Sequence, residues 1–376
     1  MKVAIICDVL GEENNGTTIA LKNLISYLRE VGHSVKVVCP DRDKIGTDGY
    51  VIVPELRLTP LLNWVLKLNH IILAKPDKKI LKKVIEWADV VHIEMPFPLG
   101  ITAAKTAKKI GKPVTASFHM QAENFSAHVG LMNVSFFNNM FYRLMYKGFY
   151  RHVDTVHYPT EFIKELFEGI VKKSMNSVVI SNGVKEDFFI NRNRRYPRIS
   201  DKFTILCAGR YSAEKAHQQL LKAVARSSHK NDIKVVLAGA GPKEKKLKRI
   251  AKRLGVDAEF AFYDRERLIA VQHASDLYVH TALVEIEALC CIESIVSGLV
   301  PVICNSERSA TRFFALDERN LYVMNDIDDL KRKIDYFIEN PEAIEEYRKR
   351  YGETISFFDQ KKCMKEMEKM LLNSVA

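Results

Sequence analysis

One pattern constrains this chain more than any other. Short apolar runs of strand length alternate with stretches of helical period from end to end. MKVAIICDV (1–9) reads as a strand, and 16–31 carries Ile19, Leu21, Leu24, Ile25 and Leu28 at the spacing of one buried helix face. Gly32 ends that helix, and SVKVVCP (34–40) is the next strand. ADVVHIEM (88–95) is a strand, ITAAKTAKKIG (101–111) a helix and KPVTASFH (112–119) a strand, and DTVHYPT (154–160) and NSVVISNGV (176–184) continue the series. Strands joined by crossover helices run parallel, so the rhythm predicts an α/β fold: parallel sheets with helices on both faces.

The rhythm breaks at the polar, basic stretch 186–202, which reads as a linker. A second series follows. FTILCAGR (203–210) is a strand, 214–226 a helix, IKVVLAGAG (233–241) a strand and 243–255 a helix. DAEFAFY (257–263), SDLYVHT (275–281) and LVPVI (299–303) are later strands, and 326–372 is helical and strongly charged. With 376 residues the chain exceeds what one core serves. The expected organisation is a domain over 1–185, the linker 186–202, a second domain over 203–340, and C-terminal helices over 341–376. Doubly wound domains bind ligands beyond the carboxyl ends of their strands, so motifs there are the candidates for chemistry.

Composition narrows the partners. Apolar residues make up 47% and charged residues 27%, a globular balance. The net charge of +11 favours acidic partners: nucleic acid, anionic lipid or a phosphorylated small molecule. The seven cysteines stand mostly in apolar runs without a CxxC, as reduced core thiols of a cytosolic protein do. The N-terminal apolar run is too short for a signal peptide, and no stretch reaches the ~18–20 uninterrupted apolar residues of a spanning helix.

Several motifs stand at strand ends. In GRYSAEK (209–215), Arg210 and Lys215 follow a strand at the start of a helix, where N–H groups and two cations suit a diphosphate; a solvated turn is the alternative. AGAGPKEKK (238–246) lacks the third glycine of a dinucleotide fingerprint and the GK[ST] of a P-loop, and reads as a tight turn into a helix. In VEIEALCCIESIVSGLVPVI (284–303), 288–297 is helix-compatible with Gly298 as its C-cap, which leaves Glu285 before the helix and Glu293 within it. Those carboxylates suit acid/base work or the binding of sugar and ribose hydroxyls. No His or Cys stands at ligand spacing from both, so no metal site is expected. His119 ends a first-half strand, and Gly16 lies in the loop after the first strand, where glycine admits a ligand close to the backbone. Asp41-Arg42-Asp43 looks like a DxD metal motif but reads better as a surface turn or helix cap.

Taken in this order and spacing, these residues resemble the family 4 glycosyltransferases of the GT-B fold. GRYSAEK matches the family's G-R-x-x-x-x-K and Glu285–Glu293 its E-x7-E; SNGV (181–184), ASDLYVHT (274–281) and SGLVPVI (297–303) match as well. The resemblance implies two Rossmann-like doubly wound domains facing across a cleft. It further implies a nucleotide-sugar donor held by the C-terminal domain, retention of anomeric configuration, and neither metal nor cofactor. By it, Arg210 and Lys215 bind the donor diphosphate and stabilise the departing charge, Glu293 binds the ribose, and Glu285 holds donor-sugar hydroxyls. His119 faces the reacting sugar, Gly16 lies near the phosphates, and the C-terminal helix crosses back onto the first domain. The chain departs from the pattern at three places. Glu285-Ile286-Glu287-Ala288 stands where the family has E-G-F-G, which makes Glu287 an extra carboxylate for a donor hydroxyl or for solvent. Lys215 is followed by Ala-His instead of glycine, and NSERSAT (305–311) replaces a glycine-rich loop, offering Ser309 and Thr311 to the donor.

Two first-half stretches bear on the acceptor. Residues 60–83 combine apolar side chains, Trp64 among them, with lysines beginning at Lys67, and 136–152 mixes Phe141 and other aromatics with Arg143, Lys147 and Arg151. Such surfaces suit a peripheral membrane enzyme on an anionic bilayer; core-facing helices of a basic protein are the alternative. The chain is similar to the bacterial diacylglycerol glucosyltransferase branch, where PFPLG (96–100) has a counterpart. That similarity implies a UDP-glucose or UDP-galactose donor, a lipid acceptor, and a cytoplasmic enzyme on the inner face of the plasma membrane. A transferase building cell-surface glycans on a sugar or prenyl-linked acceptor is the second reading. A nucleic-acid-binding module is the third, disfavoured because the cations are spread over both halves with no binding signature.

Overall fold

The computed structural model describes residues 1–8, 10, 16–56, 72–127, 130–189 and 196–375. The chain forms two compact units: Met1–Gly183 with Lys361–Ala376, and Val184–Gln360.

The first unit is built on a seven-stranded parallel sheet in the order β3-β2-β1-β4-β5-β6-β7. Its strands are β1 (Lys2–Ile6), β2 (Ser34–Cys39), β3 (Tyr50–Ile52), β4 (Val90–Ile93), β5 (Val114–Ser117), β6 (Thr155–Tyr158) and β7 (Ser177–Val179). Val3 to Ile6 are fully buried, as are Val90, Val91 and Ile93. A parallel sheet covered on both faces produces such continuous apolar strands. Strand order reverses between β1 and β4, which marks the crevice at their carboxyl ends as the place for a ligand.

The second unit repeats the plan with six parallel strands in the order β10-β9-β8-β11-β12-β13. They are β8 (Phe203–Ala208), β9 (Ile233–Ala238), β10 (Ala258–Ala261), β11 (Leu277–His280), β12 (Val300–Asn305) and β13 (Leu321–Val323). Here the order reverses between β8 and β11. The sequence reading contains neither β3 nor β13. Both are three-residue edge strands, too short to show a period.

The stretch 186–202 is not wholly a linker. Glu186–Phe188 forms a 3₁₀ turn of the second unit. Phe188 is buried in a cluster with Ile292 and Val296, and Ser297 Oγ donates to its carbonyl at 2.8 Å. The charged C-terminal segment divides. Helices Ile327–Glu339 and Pro341–Gly352 belong to the second unit, and helix Gln360–Asn373 packs on the first. That last helix buries Met364, Met367, Met370 and Leu371 in one cluster with Leu21, Leu24 and Leu28. Each such side chain contributes roughly 1.5–3 kcal/mol when fully buried. Glu368 reinforces the contact, accepting from Tyr27 OH at 3.1 Å and lying 2.7 Å from His33 Nε2. Asp41 accepts from Asp43 N as the cap of the 3₁₀ turn Arg42–Lys44, the helix-cap reading of that motif. No disulfide occurs among the described cysteines, and all but the half-buried Cys290 are buried.

Candidate active site

At the reversal point of the second unit, β8 ends at Ala208 and releases Gly209, whose φ of +146° lies in the region glycine favours. The turn after β9 locks onto the turn after β8. Tyr211 N donates to Ala240 O at 2.9 Å, Lys243 N to Tyr211 O at 3.0 Å, and Tyr211 OH to Leu237 O at 2.6 Å. A Cβ on Gly239 would stand 2.1 Å from Gly209 O. The glycines of AGAG therefore serve close backbone packing, and helix Glu244–Leu254 starts two residues after Pro242.

Lys215 does not start a helix as the sequence reading has it. Helix Gln218–Arg226 begins three residues later. The cause is tertiary: Leu283 N donates to Glu214 O at 2.7 Å and Thr281 Oγ1 to Lys215 O at 2.7 Å, tying the turn to the segment after β11. Ala216 then takes a left-handed φ of +48°. So held, Lys215 Nζ donates to Glu285 Oε1, which also lies 3.3 Å from His280 Nε2. Burial alone would raise the Glu285 carboxyl; Lys215 and His280 outweigh it and bring it down to about 2. Burial works against the Lys215 charge, and Glu285 overrides it, raising the ammonium. Burial lowers His280, with Glu285 pulling the other way. The result is an ion pair beyond the carboxyl ends of β8 and β11.

Glu293 lies in helix Leu289–Val296, close to the range read from the sequence, with Gly298 following in left-handed backbone. Its environment is the reverse. Burial pushes its carboxyl up to about 7 against a lowering pull from Arg265, with Asp187 adding to the rise. Among the described residues it has no hydrogen-bond partner for that carboxyl. A carboxyl so placed suits a ligand hydroxyl. Glu287 is buried, not exposed, and Ala288 at the helix N-cap holds a left-handed φ of +66°. Arg210 is half-buried in the turn after β8.

Ser309 and Thr311 are fully buried and hydrogen-bond to each other at 2.7 Å. Their segment backs Glu285: Glu285 N donates to Arg308 O at 3.3 Å and Ala310 N to Glu285 O at 2.9 Å. The NSERSAT loop thus grips the backbone of the glutamate.

In the first unit, His119 lies two residues beyond β5. Its Nε2 is 3.1 Å from Oε2 of Glu94, which follows β4 and is buried. Gly16 opens helix Gly16–Glu30 and is exposed. Asp8, just past β1, accepts from Ala74 N at 3.0 Å, and burial pushes its carboxyl up to about 7.

Trp64 and Lys67 lie outside the described residues. In helix Ser135–Gly148, Phe141 is half-buried and stacks on Phe125 with ring centroids 5.0 Å apart. The exposed apolar side chains are instead Phe136, Met140 and Leu144, four apart and so on one helix face. Arg143 and Lys147 are exposed beside them. Among the described residues no helix is long and apolar enough to cross a membrane.

The sequence reading overlooks Glu94 and His280. Both sit at strand ends beside a residue it names, and that position was the available signal.

The chain is similar to several known proteins. Residues 189–355 match the family of glycosyl transferases group 1, and residues 14–188 match Glycosyltransferase Family 4. An alpha-monoglucosyldiacylglycerol synthase from Streptococcus pneumoniae is 23% identical over 81% of this chain and 71% of that protein. The catalytic domain of a cholesterol-alpha-glucosyltransferase from Helicobacter pylori is 48% identical, over 41% of this chain and 96% of that one, with a TM-score of 0.40. Anabaena Alr3699/HepE, solved with UDP and glucose, superposes with a TM-score of 0.75 at 14% identity over 99% of this chain and 100% of that one. Its fold is GT-B, like that of the chain described here. The two family matches run in succession from residue 14 to residue 355, and the chain belongs to the family 4 glycosyltransferases.

Proposed function

We propose that this enzyme transfers a hexose from UDP-glucose or UDP-galactose to the hydroxyl of a membrane lipid such as diacylglycerol, with retention and without a metal. The observation that carries the reading is an ion-paired Lys215 beyond the carboxyl end of β8 together with, in the helix after Glu285, a Glu293 carboxyl that has no hydrogen-bond partner among the described residues. A nucleotide sugar has complementary parts. Its diphosphate meets Lys215 and Arg210, its ribose hydroxyls donate to Glu293, and its sugar hydroxyls donate to Glu285. In the transfer, the acceptor oxygen bonds to the anomeric carbon as the bond from that carbon to phosphate oxygen breaks on the same face. The acceptor proton passes to the departing phosphate, whose growing charge Lys215 stabilises.

The acceptor assignment draws on the similarity to the diacylglycerol enzyme and on the exposed face of helix Ser135–Gly148. Phe136, Met140 and Leu144 would enter the interface, and each nearby Arg or Lys adds about 1 kcal/mol on an anionic surface.

The test is product mass spectrometry with a panel of nucleotide sugars against vesicles holding diacylglycerol or a sterol, and against soluble sugars. Hexosyl-lipid from a UDP-hexose, stable to added chelator, is the expected result. Transfer only to soluble or prenyl-linked sugars would overturn the lipid assignment, and transfer only from another nucleotide would overturn the donor.

A further inference from the structure

Behind His119 lies a chain of buried polar groups that the family match does not account for. It begins at the carbonyl of Ile180, just past β7, which can only accept. His157 Nε2 is 2.7 Å from that oxygen and so donates to it. Burial drives His157 down to about 3, leaving a neutral ring whose Nδ1 must accept. The partner of Nδ1 is Ser117 Oγ at 3.0 Å, so the hydroxyl proton points at His157. The Ser117 oxygen is then an acceptor for His92 Nε2 at 3.1 Å. His92 Nδ1 lies 2.8 Å from Thr115 Oγ1, whose hydroxyl also reaches Val91 O at 3.5 Å. From Ile180 to His92 Nε2 each direction follows from the one before, and all of these side chains are buried.

The chain ends at Glu94. His92 Nε2 is also 3.3 Å from Glu94 Oε1, but its proton is shared with Ser117. Burial opposes the Glu94 charge, and the two histidines overcome it and hold the carboxyl well below its usual range. Among the described residues no Lys or Arg pairs with this carboxylate. Its remaining oxygen, Oε2, makes no well-aligned hydrogen bond among the described residues and lies 3.1 Å from His119 Nε2.

We infer that Glu94 is a positioning residue for glycosyl transfer, holding the His119 ring with Nε2–H turned inward so that Nδ1 is presented to the substrate. The inference rests on the transfer reading above and on the resemblance by which His119 faces the reacting sugar. It adds that the histidine's orientation is set by a carboxylate 25 positions upstream, through the pairing of β4 with β5. A buried carboxylate behind a working imidazole fixes its tautomer and ring plane, and removing such a support commonly lowers activity about 10- to 100-fold.

The experiment combines kinetics with nitrogen-15 NMR of histidine side chains, on the full chain. In the wild-type protein the His119 Nε2 should be the protonated nitrogen, and E94Q should convert that signal to a tautomer mixture. Turnover in E94Q should fall about 10- to 100-fold with donor KM changed less than threefold. E94D should recover part of the loss, and E94Q combined with His119→Ala should be no worse than His119→Ala alone, as for residues that act as one unit. A thermal melt checks that each variant folds, and E94D serves if E94Q does not. An unchanged His119 signal in E94Q, or losses that multiply in the double variant, overturns the positioning role. Native turnover in His119→Ala, with the tautomer shift still seen in E94Q, overturns instead the assignment of His119 to transfer.

Discussion

Glu285 and Glu293 are eight positions apart, yet they meet opposite conditions. Glu285 is buried against an ammonium and an imidazole and stays ionised down to about pH 2. Glu293 is half-buried without a counter-ion in contact and holds its proton up to about pH 7. The difference shows that burial decides little by itself; what decides is which groups the neighbouring strands deliver. β8 and β11 are adjacent, so Lys215 and Glu285 meet although 70 residues separate them. Glu293 is half-buried in a helix that buries Cys291, Ile292, Ser294, Ile295 and Val296. One carboxylate is satisfied inside the protein, and the other has no hydrogen-bond partner among the described residues.

The largest expected effect comes from breaking the satisfied side. Lys215→Ala should lower turnover about 10²- to 10³-fold, as loss of a transition-state charge partner does. It should also lower stability by about 3–5 kcal/mol, because Glu285 is left as a buried charge. Initial rates and denaturant unfolding measure the two. Lys215→Met with Glu285→Leu should restore much of the stability and none of the turnover.

Next in size is the open side. Glu293→Ala should raise donor KM about 10- to 100-fold, the equivalent of about 1–3 kcal/mol for lost hydroxyl bonds, with a smaller change in turnover. Its stability relative to the wild type should rise between pH 5.5 and 8, because the variant escapes the cost of ionising that carboxyl.

The two carboxyls should also respond to pH with opposite sign. The folded-state pKa of Glu285 is depressed, so its stabilising contribution is full above its ordinary value of 4.5 and is lost as pH falls towards about 2. That of Glu293 is raised, so its contribution is full below 4.5 and is lost as pH rises through about 7. Glu293→Gln should flatten the upper slope and Glu285→Gln the lower, read from unfolding free energies at half-unit intervals.

The smallest effect concerns the backbone that sets both residues in place. Ala216 and Ala288 hold left-handed φ values, which cost an alanine more than a glycine. Ala288→Gly should gain about 0.5–1 kcal/mol by thermal unfolding, less the entropy a glycine adds to the unfolded chain.

The strands and most helices were legible because parallel strands buried on both faces are continuous apolar runs. The ends of helix Leu289–Val296 were nearly so, since Gly298 marks its stop. Other features are written in contacts that sequence spacing does not carry. The turn at Lys215 looks helical until the hydrogen bonds from Thr281 and Leu283 draw it off axis. The Glu94–His119 contact depends on the register that pairs His92 with Thr115. Ser309 and Thr311 read as ligand contacts, but their hydroxyls meet each other. The glycines of AGAG read correctly as a turn, although not as a lock on Tyr211.

The central claim is that Glu293 is the carboxyl kept for the donor, beside an ion pair that takes its diphosphate. Calorimetric titration of UDP-glucose and UDP-galactose at pH 6 and pH 8 tests it most directly, since neither intact donor carries a diphosphate proton in that range. The account predicts tighter binding at pH 8, where Glu293 is ionised and accepts ribose hydroxyls, and binding at least 10-fold weaker and independent of pH in Glu293→Gln. Equal affinity of the wild-type and Glu293→Gln proteins at both pH values would contradict it.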